Sequence, residues 1–326
     1  MPTTEQTVLT TEQEDIVNSL DELKKVETEN PLDQSEIDDN QADIIENSES
    51  DELFRESVDD EELIPEKVLP RLTSDWFVVS EAVVGLMHRR ATPPLPCQDA
   101  FCISNSPRVT LLVSDGAGSA AVSEIGANAV VNSCQRLLFT LDDQIAELLD
   151  RSDEPEIVFS RRFALRLVKH AMGTLEDISR QQRREIKDYR CTFLALIVGK
   201  EYLLWIKVGD GALVVEQGNE LFTLGELGKG EFANQTTFID DKLTPDSVQF
   251  GTVSSAYISG LAAMSDGSAE RLVSNDGSRV AGRMAEFFIQ LRKDSLSRTS
   301  LTDFLHDKDS WRGTSGDDKC LALAAR

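Results

Sequence analysis

The segment RVTLLVSDGAG, residues 108–118, is a run of apolar and β-branched residues that stops at Asp115 and Gly116. Because Asp-Gly is a turn dipeptide, this pattern predicts a buried strand that ends at Asp115. The sequence that follows, SAAVSEIGANAVVNSCQRLLF (residues 119–139), has apolar residues at helical spacing and therefore predicts a helix. The segment thus predicts a strand, a turn and a helix, with a carboxylate at the end of the strand.

Patterns on both sides of this segment predict more strands and helices. Extended sequence begins at Trp76, short strands with Gly-containing turns fill residues 191–224, and an apolar run at 257–267 also stops at Asp-Gly. Helical spacing recurs at 156–185, 279–293 and 301–307, residues 225–252 have the composition of a loop, and CLALAA (320–325) predicts a last strand. This order lacks regular βαβ alternation, so it favours an α+β fold with antiparallel sheets covered by helices.

The chain divides by charge into a leader and a folded domain. Residues 1–70 carry 23 acidic and 4 basic side chains, whereas residues 71–326 carry 35 and 29. A segment so acidic and so poor in apolar residues cannot offset the entropy of ordering itself, so we expect residues 1–70 to be a disordered leader. The alternative is an acidic docking arm that recruits a basic partner or folds over the active site. The folded domain is expected to span residues 71–326.

Composition excludes several classes of protein. Neither part of the chain has the concentrated basic surface that nucleic-acid binding requires. The five cysteines are scattered and form no C-x-x-C pair, which argues against a disulfide framework or a zinc knuckle and suits a reducing compartment. The first residues lack the pattern of a signal peptide, and no apolar run approaches the roughly 20 residues of a membrane span. We therefore expect a soluble, cytoplasmic protein.

Acidic residues recur where the predicted strands begin or end. The five positions are Asp99, Asp115, Asp210, Asp266 and Asp317. Any one of them is more often a turn former than a ligand. Several carboxylates that converge at one sheet rim, however, would need a cation to neutralise them, and oxygen ligands select Mg²⁺ or Mn²⁺. Taken together, the five positions predict a site for hard divalent cations.

Six short motifs follow one another along the chain, and they are Cys97-Gln98-Asp99-Ala100, Asp115-Gly116-Ala117-Gly118, Cys191-Thr192-Phe193, Gly209-Asp210-Gly211, Ser265-Asp266-Gly267 and Gly316-Asp317-Asp318. In this order, the motifs resemble those of the type 2C metal-dependent serine/threonine protein phosphatases. The resemblance covers about residues 82–326, and the stretch 230–238 is similar to a bacterial branch of that family. The resemblance implies a four-layer α/β/β/α sandwich, in which two antiparallel sheets are flanked by helices.

The resemblance also implies a role for each acidic position. Asp115 would bridge two Mg²⁺ or Mn²⁺ ions, with the Gly116 carbonyl on one of them and Asp266 and Asp317 on the other. Asp99 would act through water or by supporting the metal ligands without binding an ion itself, and Asp210 could hold a third, weaker ion together with Asp266. Two such ions lower the pKa of a water molecule that can then attack a phosphate ester, and the expected substrate is a phosphorylated protein.

Two departures from the family pattern concern catalysis. Many members carry His directly after the first Asp-Gly, where it is thought to protonate the leaving group, but this chain has Ala117. The usual phosphate-binding Arg would fall at Pro94, which cannot serve. Three nearby side chains are the candidates to replace it, and they are His88, Arg89 and Arg90.

Three functions of different class remain open from the sequence. The first is an active protein phosphatase, favoured because the expected metal positions are filled. The second is a pseudophosphatase, a binding module with the same fold and an acidic interaction arm, which Ala117 and Pro94 motivate. The third is a small-molecule phosphoesterase on the same fold.

Overall fold

The computed structural model of this chain describes residues 75–226 and 236–326. The predicted leader, residues 1–70, and most of the stretch 230–238 lie outside the described residues. The strands are β1 Phe77–Val83, β2 Asp99–Ser104, β3 Thr110–Asp115, β4 Phe193–Val198, β5 Tyr202–Val208, β6 Ala212–Gln217, β7 Glu220–Leu224, β8 Gln249–Ser254, β9 Ile258–Met264 and β10 Lys319–Ala325. The helices are α1 Leu86–Arg90, α2 Ser123–Thr140, α3 Asp142–Leu149, α4 Ile157–Gln182, α5 Asp266–Leu272, α6 Gly282–Arg292 and α7 Arg298–His306.

The strands form two five-stranded sheets in which every pair is antiparallel. The first sheet has the order β1-β10-β9-β6-β7, and the second has the order β2-β3-β4-β5-β8. Neighbouring strands in a sheet often come from distant parts of the chain, as with β1 and β10. The predicted α+β class with two antiparallel sheets is confirmed.

Alternate residues of each strand face different layers, as the pleat of a strand requires. In β3, Leu111 and Val113 lie in the core between the sheets, whereas Leu112 packs in the core that includes residues of α2, α3 and α4. In β6, Leu213 belongs to the core between the sheets, whereas Val214 packs with residues of α6 and α7. Three apolar cores therefore separate four layers, and the predicted sandwich is confirmed.

The prediction of a loop over residues 225–252 was wrong for its last residues. Gln249–Ser254 forms β8, the edge strand that pairs with β5. Its residues are half-buried rather than alternately buried and exposed, so the sequence lacks the period of a strand that is buried on one face. Two helices, α1 and α3, were not predicted either, because each is too short to show a clear helical period.

The sandwich brings the ends of β9, β3 and β5 and the starts of β2 and β10 towards one rim, where all five predicted acidic positions occur. The other predicted strands and helices agree with the structure to within a few residues at their ends. In residues 75–226 and 236–326, no helix is both long enough and apolar enough to cross a bilayer.

Candidate functional site

Asp99 and Asp115 lie opposite each other at one rim of the second sheet. Asp99 is the first residue of β2 and Asp115 is the last residue of β3, and the antiparallel register pairs them directly. Beyond the strand, the Gly116 amide donates to the Gln98 carbonyl at 3.1 Å, so the ladder continues past the carboxylates. The sheet thus holds both side chains at defined positions at its rim.

Asp266 and Asp317 reach the same site from the first sheet. Asp266 is the first residue of α5, directly after β9, and Asp317 precedes β10 by two residues. Because β9 and β10 are antiparallel, the end of one strand lies beside the start of the other, with Met264 opposite Leu321. The Asp266 and Asp115 carboxyl groups are close enough for each to affect the pKa of the other, so residues that follow strands of different sheets meet at this point.

Burial and mutual repulsion make this cluster unfavourable in its charged form. Burial is the largest cause that raises the pKa of Asp99 and of Asp115 well above the usual range of a carboxyl group. The charges of neighbouring carboxylates, among them Asp266 and Asp317, raise the pKa of both further. Burial, followed by the charge of Asp210, raises the pKa of Asp266 to about 6. A nearby cation would remove most of this penalty.

Two carboxylate oxygens in the cluster are buried without a hydrogen-bond partner among the described residues. They are Asp99 Oδ1 and Asp266 Oδ1. Buried polar atoms in native proteins nearly always have a partner, so each unpaired oxygen calls for an explanation. Oxygen donors with unpaired lone pairs are the ligands that Mg²⁺ and Mn²⁺ prefer. The residues present at this rim therefore fit a hard divalent cation.

Asp210 extends the acidic cluster from the end of β5. The turn between β5 and Asp210 requires Gly209, whose φ is 114°, a conformation that side chains disfavour. A Cβ at Gly209 would also lie 2.5 Å from Cγ2 of Thr192. The turn places Asp210 where its charge acts on Asp266, and Thr236 Oγ1 donates to Asp210 Oδ2 at 2.7 Å.

Asp318, which was not among the predicted site residues, holds neighbouring segments together at the site. It is 3% exposed, and its Oδ1 accepts a hydrogen bond from the Gly85 amide at 2.6 Å. Its Oδ2 accepts the Gln98 amide at 2.6 Å and lies 2.9 Å from His88 Nδ1. Asp318 therefore joins three separate segments behind the cluster. The only signal in the sequence was a second acidic residue directly after Asp317, ahead of an apolar strand.

The predicted phosphate-binding residues lie on α1, but they differ in exposure. His88 is buried with its Nδ1 against Asp318, so only Nε2 is left for another contact. Arg89 and Arg90 are exposed. One ligand atom each from His88, Asp317 and Asp318 lie within 4.8 Å of one another, so α1 adjoins the acidic cluster. The phosphate-binding roles of His88 and Arg90 stay predictions.

Comparisons with known proteins agree with this architecture. The model of a family described as protein phosphatase 2C matches residues 84–306. Serine/threonine-protein phosphatase 3 of Escherichia coli (strain K12) is 28% identical over 261 residues, which cover 76% of this chain and 98% of that protein.

The solved structures that resemble the fold include two of phosphatases named PstP. One is the serine/threonine phosphatase PstP/Ppp of Mycobacterium tuberculosis, with a TM-score of 0.50 and 14% identity, covering 77% of this chain and 98% of that chain. The other is the catalytic domain of the phosphatase PstP in complex with two manganese ions, with a TM-score of 0.48 and 17% identity, covering 77% and 97%. At such identities, the likeness concerns the fold alone.

Proposed function

Because this chain belongs to the protein phosphatase 2C family, we propose that it hydrolyses phosphoserine and phosphothreonine esters in proteins, with water activated by two divalent cations. The E. coli relative, named a serine/threonine-protein phosphatase, supports the choice of substrate, since 98% of its length is matched. The observation that carries the proposal is the proximity of Asp115 and Asp266, which come from different sheets and whose buried carboxyl groups each affect the pKa of the other.

The acidic cluster supplies the ligands in this proposal. Asp115, with the Gly116 carbonyl, would hold both cations, and Asp266 and Asp317 would complete the binding of one. Asp99 would contact a cation through a water molecule rather than directly, and Asp210 with Asp266 would hold a third cation more weakly. Either Mg²⁺ or Mn²⁺ suits this set of oxygen donors. When bound, such cations lower the pKa of water towards neutrality and offset charge on the phosphoryl oxygens.

The chain's other residues would orient the ester. Arg90 is exposed on α1, and a guanidinium group can bind two phosphate oxygens at once. His88 would act beside it through Nε2, because Nδ1 already faces Asp318. Ala117 has no proton to transfer, so a solvent molecule would protonate the leaving alkoxide.

Release of phosphate from a phosphopeptide tests the proposal. We expect the full chain to release phosphate only when Mn²⁺ or Mg²⁺ is present, and Asp266→Asn to abolish turnover. Asp143→Asn is the matched control, because Asp143 is an exposed acid on α3, and its neighbour Asp142 pairs with Arg108 ahead of β3, at the end of that strand opposite to Asp115. Metal-independent release, or full activity of Asp266→Asn, would disprove the mechanism.

Metal binding can be tested without turnover. A crystal soaked in Mn²⁺ should give two adjacent anomalous peaks beside Asp115. The absence of peaks would favour a pseudophosphatase, a binding module that keeps the fold but lacks the reaction. If metal binds but esters of small metabolites turn over faster than phosphopeptides, the substrate assignment is wrong while the chemistry stands.

A further inference from the structure

A groove of about 930 Å³ lies beside the acidic cluster. One wall is α1, and the other is the segment that runs from the end of α7 to Lys319. We call it the basic groove after the basic side chains that line it, which are Arg89, Arg90, His306, Lys308, Arg312 and Lys319. Its volume is within the range of pockets that hold a small ligand or a short piece of peptide.

The charge of the basic groove is opposite to that of the domain around it. Five of its lining residues are Lys or Arg and one, Asp307, is acidic, whereas residues 71–326 carry 35 acidic side chains against 29 basic ones. Within the part of the chain that the structure describes, none of the five cationic side chains has a carboxylate within 4 Å. Concentrated charge of one sign in a concave surface attracts ligands of the opposite sign.

The cations are close enough to affect one another. The charge of Arg89 adds to burial in lowering the pKa of His306. Such repulsion within a folded protein is a cost that an anionic ligand would relieve. The repulsion therefore favours an anionic ligand over a neutral or cationic one.

Apolar side chains make the groove amphipathic. Leu86 and Met87 are 38% and 52% exposed, and the Trp311 ring lies 5.2 Å from Lys319 Nζ. These surfaces can pack against the backbone and the methylene groups of a bound chain. A peptide with carboxylate side chains matches both features, whereas a free inorganic anion matches the charge alone.

One end of the groove adjoins a residue of the acidic cluster. Gly316 and Lys319 line the groove and flank Asp317 in sequence. The Gly316 carbonyl accepts the Met87 amide at 2.8 Å, and Lys319 Nζ donates to the Asp317 carbonyl at 3.2 Å. A chain lying in the groove would therefore pass directly beside the acidic cluster.

We propose that the basic groove binds acidic residues that flank the phosphorylated residue of the substrate, so that this phosphatase prefers phosphopeptides with Asp or Glu near the phosphate. The inference rests on the proposed function, which it deepens by naming a substrate class. Arginine and lysine clusters recognise acidic and phosphorylated motifs in this way. Because these contacts are exposed to solvent, the preference depends on ionic strength.

Phosphopeptides of matched sequence test the proposal on the full chain. Three peptides share one phosphoserine core and differ only in flanks of Asp, Asn or Lys, and a small aryl phosphate is the fourth substrate. We expect kcat/KM to be highest for the Asp peptide. The kcat/KM of the Asp peptide divided by that of the Asn peptide should fall roughly fivefold in Lys308→Glu and in Arg312→Glu, as reversal of an exposed charge predicts.

Lys169→Glu is the matched control. It changes the net charge by the same amount, but Lys169 is exposed on α4, which covers the other sheet. In Lys169→Glu, the kcat/KM ratio of the Asp peptide to the Asn peptide should stay at the wild-type value. A thermal melt of each variant checks folding, and the exposed positions of Lys308 and Arg312 favour native stability.

The possible results separate the two proposals. Absence of turnover for every ester in the wild type would overturn the proposed function. If phosphate is released but the kcat/KM ratio of the Asp peptide to the Asn peptide is the same in wild type, Lys308→Glu and Arg312→Glu, the proposed function stands while the role of the groove is overturned. Faster turnover of all four substrates by both variants would also overturn it, because an acidic segment of the chain itself would then be the occupant.

Discussion

Ser265 Oγ donates a hydrogen bond to Asp99 Oδ2 at 2.6 Å, and this bond joins the two sheets at the acidic cluster. Ser265 follows β9 in the first sheet, whereas Asp99 begins β2 in the second. The same hydroxyl oxygen accepts the Cys320 amide at 2.9 Å, so one side chain also ties β9 to β10. The bond is one of the causes that lower the pKa of Asp99, against the larger effect of burial.

Ser265→Ala should destabilise the fold by about 1–3 kcal/mol, because the Cys320 amide and Asp99 would lose a buried partner. Urea unfolding measures this difference. Ser268→Ala is the control, since the Ser268 hydroxyl is buried but has no partner among the described residues. Equal losses in the two variants would mean that the bond between the sheets contributes nothing.

The raised pKa of Asp266 predicts how stability depends on pH in metal-free protein. Its pKa rises from 3.8 to about 6 in the folded chain, so the folded state binds this proton more tightly than the unfolded state. The resulting stability is present below pH 3.8 and is lost as the pH rises through about 6. Asp266→Asn removes this loss and should be more stable than the wild type at pH 7.5, by roughly 1–3 kcal/mol.

Denaturant unfolding in EDTA at pH 4.5, 6 and 7.5 checks this dependence. The difference between Asp266→Asn and the wild type should grow with pH, and saturating Mn²⁺ should stabilise the wild type and not the variant. A difference that is constant across the three pH values would show that Asp266 titrates normally.

Substitution of the adjacent residues Asp317 and Asp318 should affect different properties, turnover for Asp317 and stability for Asp318. Asp318→Ala leaves two buried amides and His88 without their acceptor, which should cost about 3–5 kcal/mol in unfolding free energy. Asp317→Asn keeps an oxygen that can accept the Asp318 amide, now 2.8 Å away, so metal-free stability should change little. Its metal-dependent turnover should nevertheless be lost. Comparable destabilisation by both substitutions would contradict this division of roles.

Gly267 allows the segments that carry Asp266 and Asp317 to approach each other. A Cβ at this position would lie 2.0 Å from the Asp318 carbonyl oxygen and 3.3 Å from Asp317 Cβ. Gly267→Ala should therefore force the start of α5 away from β10, cost at least about 1–3 kcal/mol and reduce metal-dependent turnover.

Gly173→Ala provides the comparison for Gly267→Ala. Gly173 lies within α4, and an added Cβ would meet nothing within 4 Å. This substitution should stabilise the protein by about 0.5–1 kcal/mol, since alanine favours helix. A thermal melt of both variants tests the pair, and a stable Gly267→Ala with full turnover would show that the close approach is unimportant.

The sequence alone was enough to predict most strands, the antiparallel sheets and the acidic positions at their ends. The signals for these features are local, because the alternation of a strand's own residues indicates the strand and an Asp-Gly turn indicates its end. The family resemblance rested on the same short motifs. By contrast, the edge strand β8 was missed, because its residues are half-buried and it pairs with β5, which lies more than forty residues earlier in the chain.

Only the tertiary structure decided how these residues are used. It placed His88 against Asp318, brought Asp115 near Asp266 at the rim of the two sheets, and set Arg89 beside His306 in one groove. None of these relationships has a local signal, since each depends on how strands and helices from opposite ends of the chain pack together. Burial and the proximity of like charges exist only after that packing, and they are what makes the acidic residues fit a hard divalent cation.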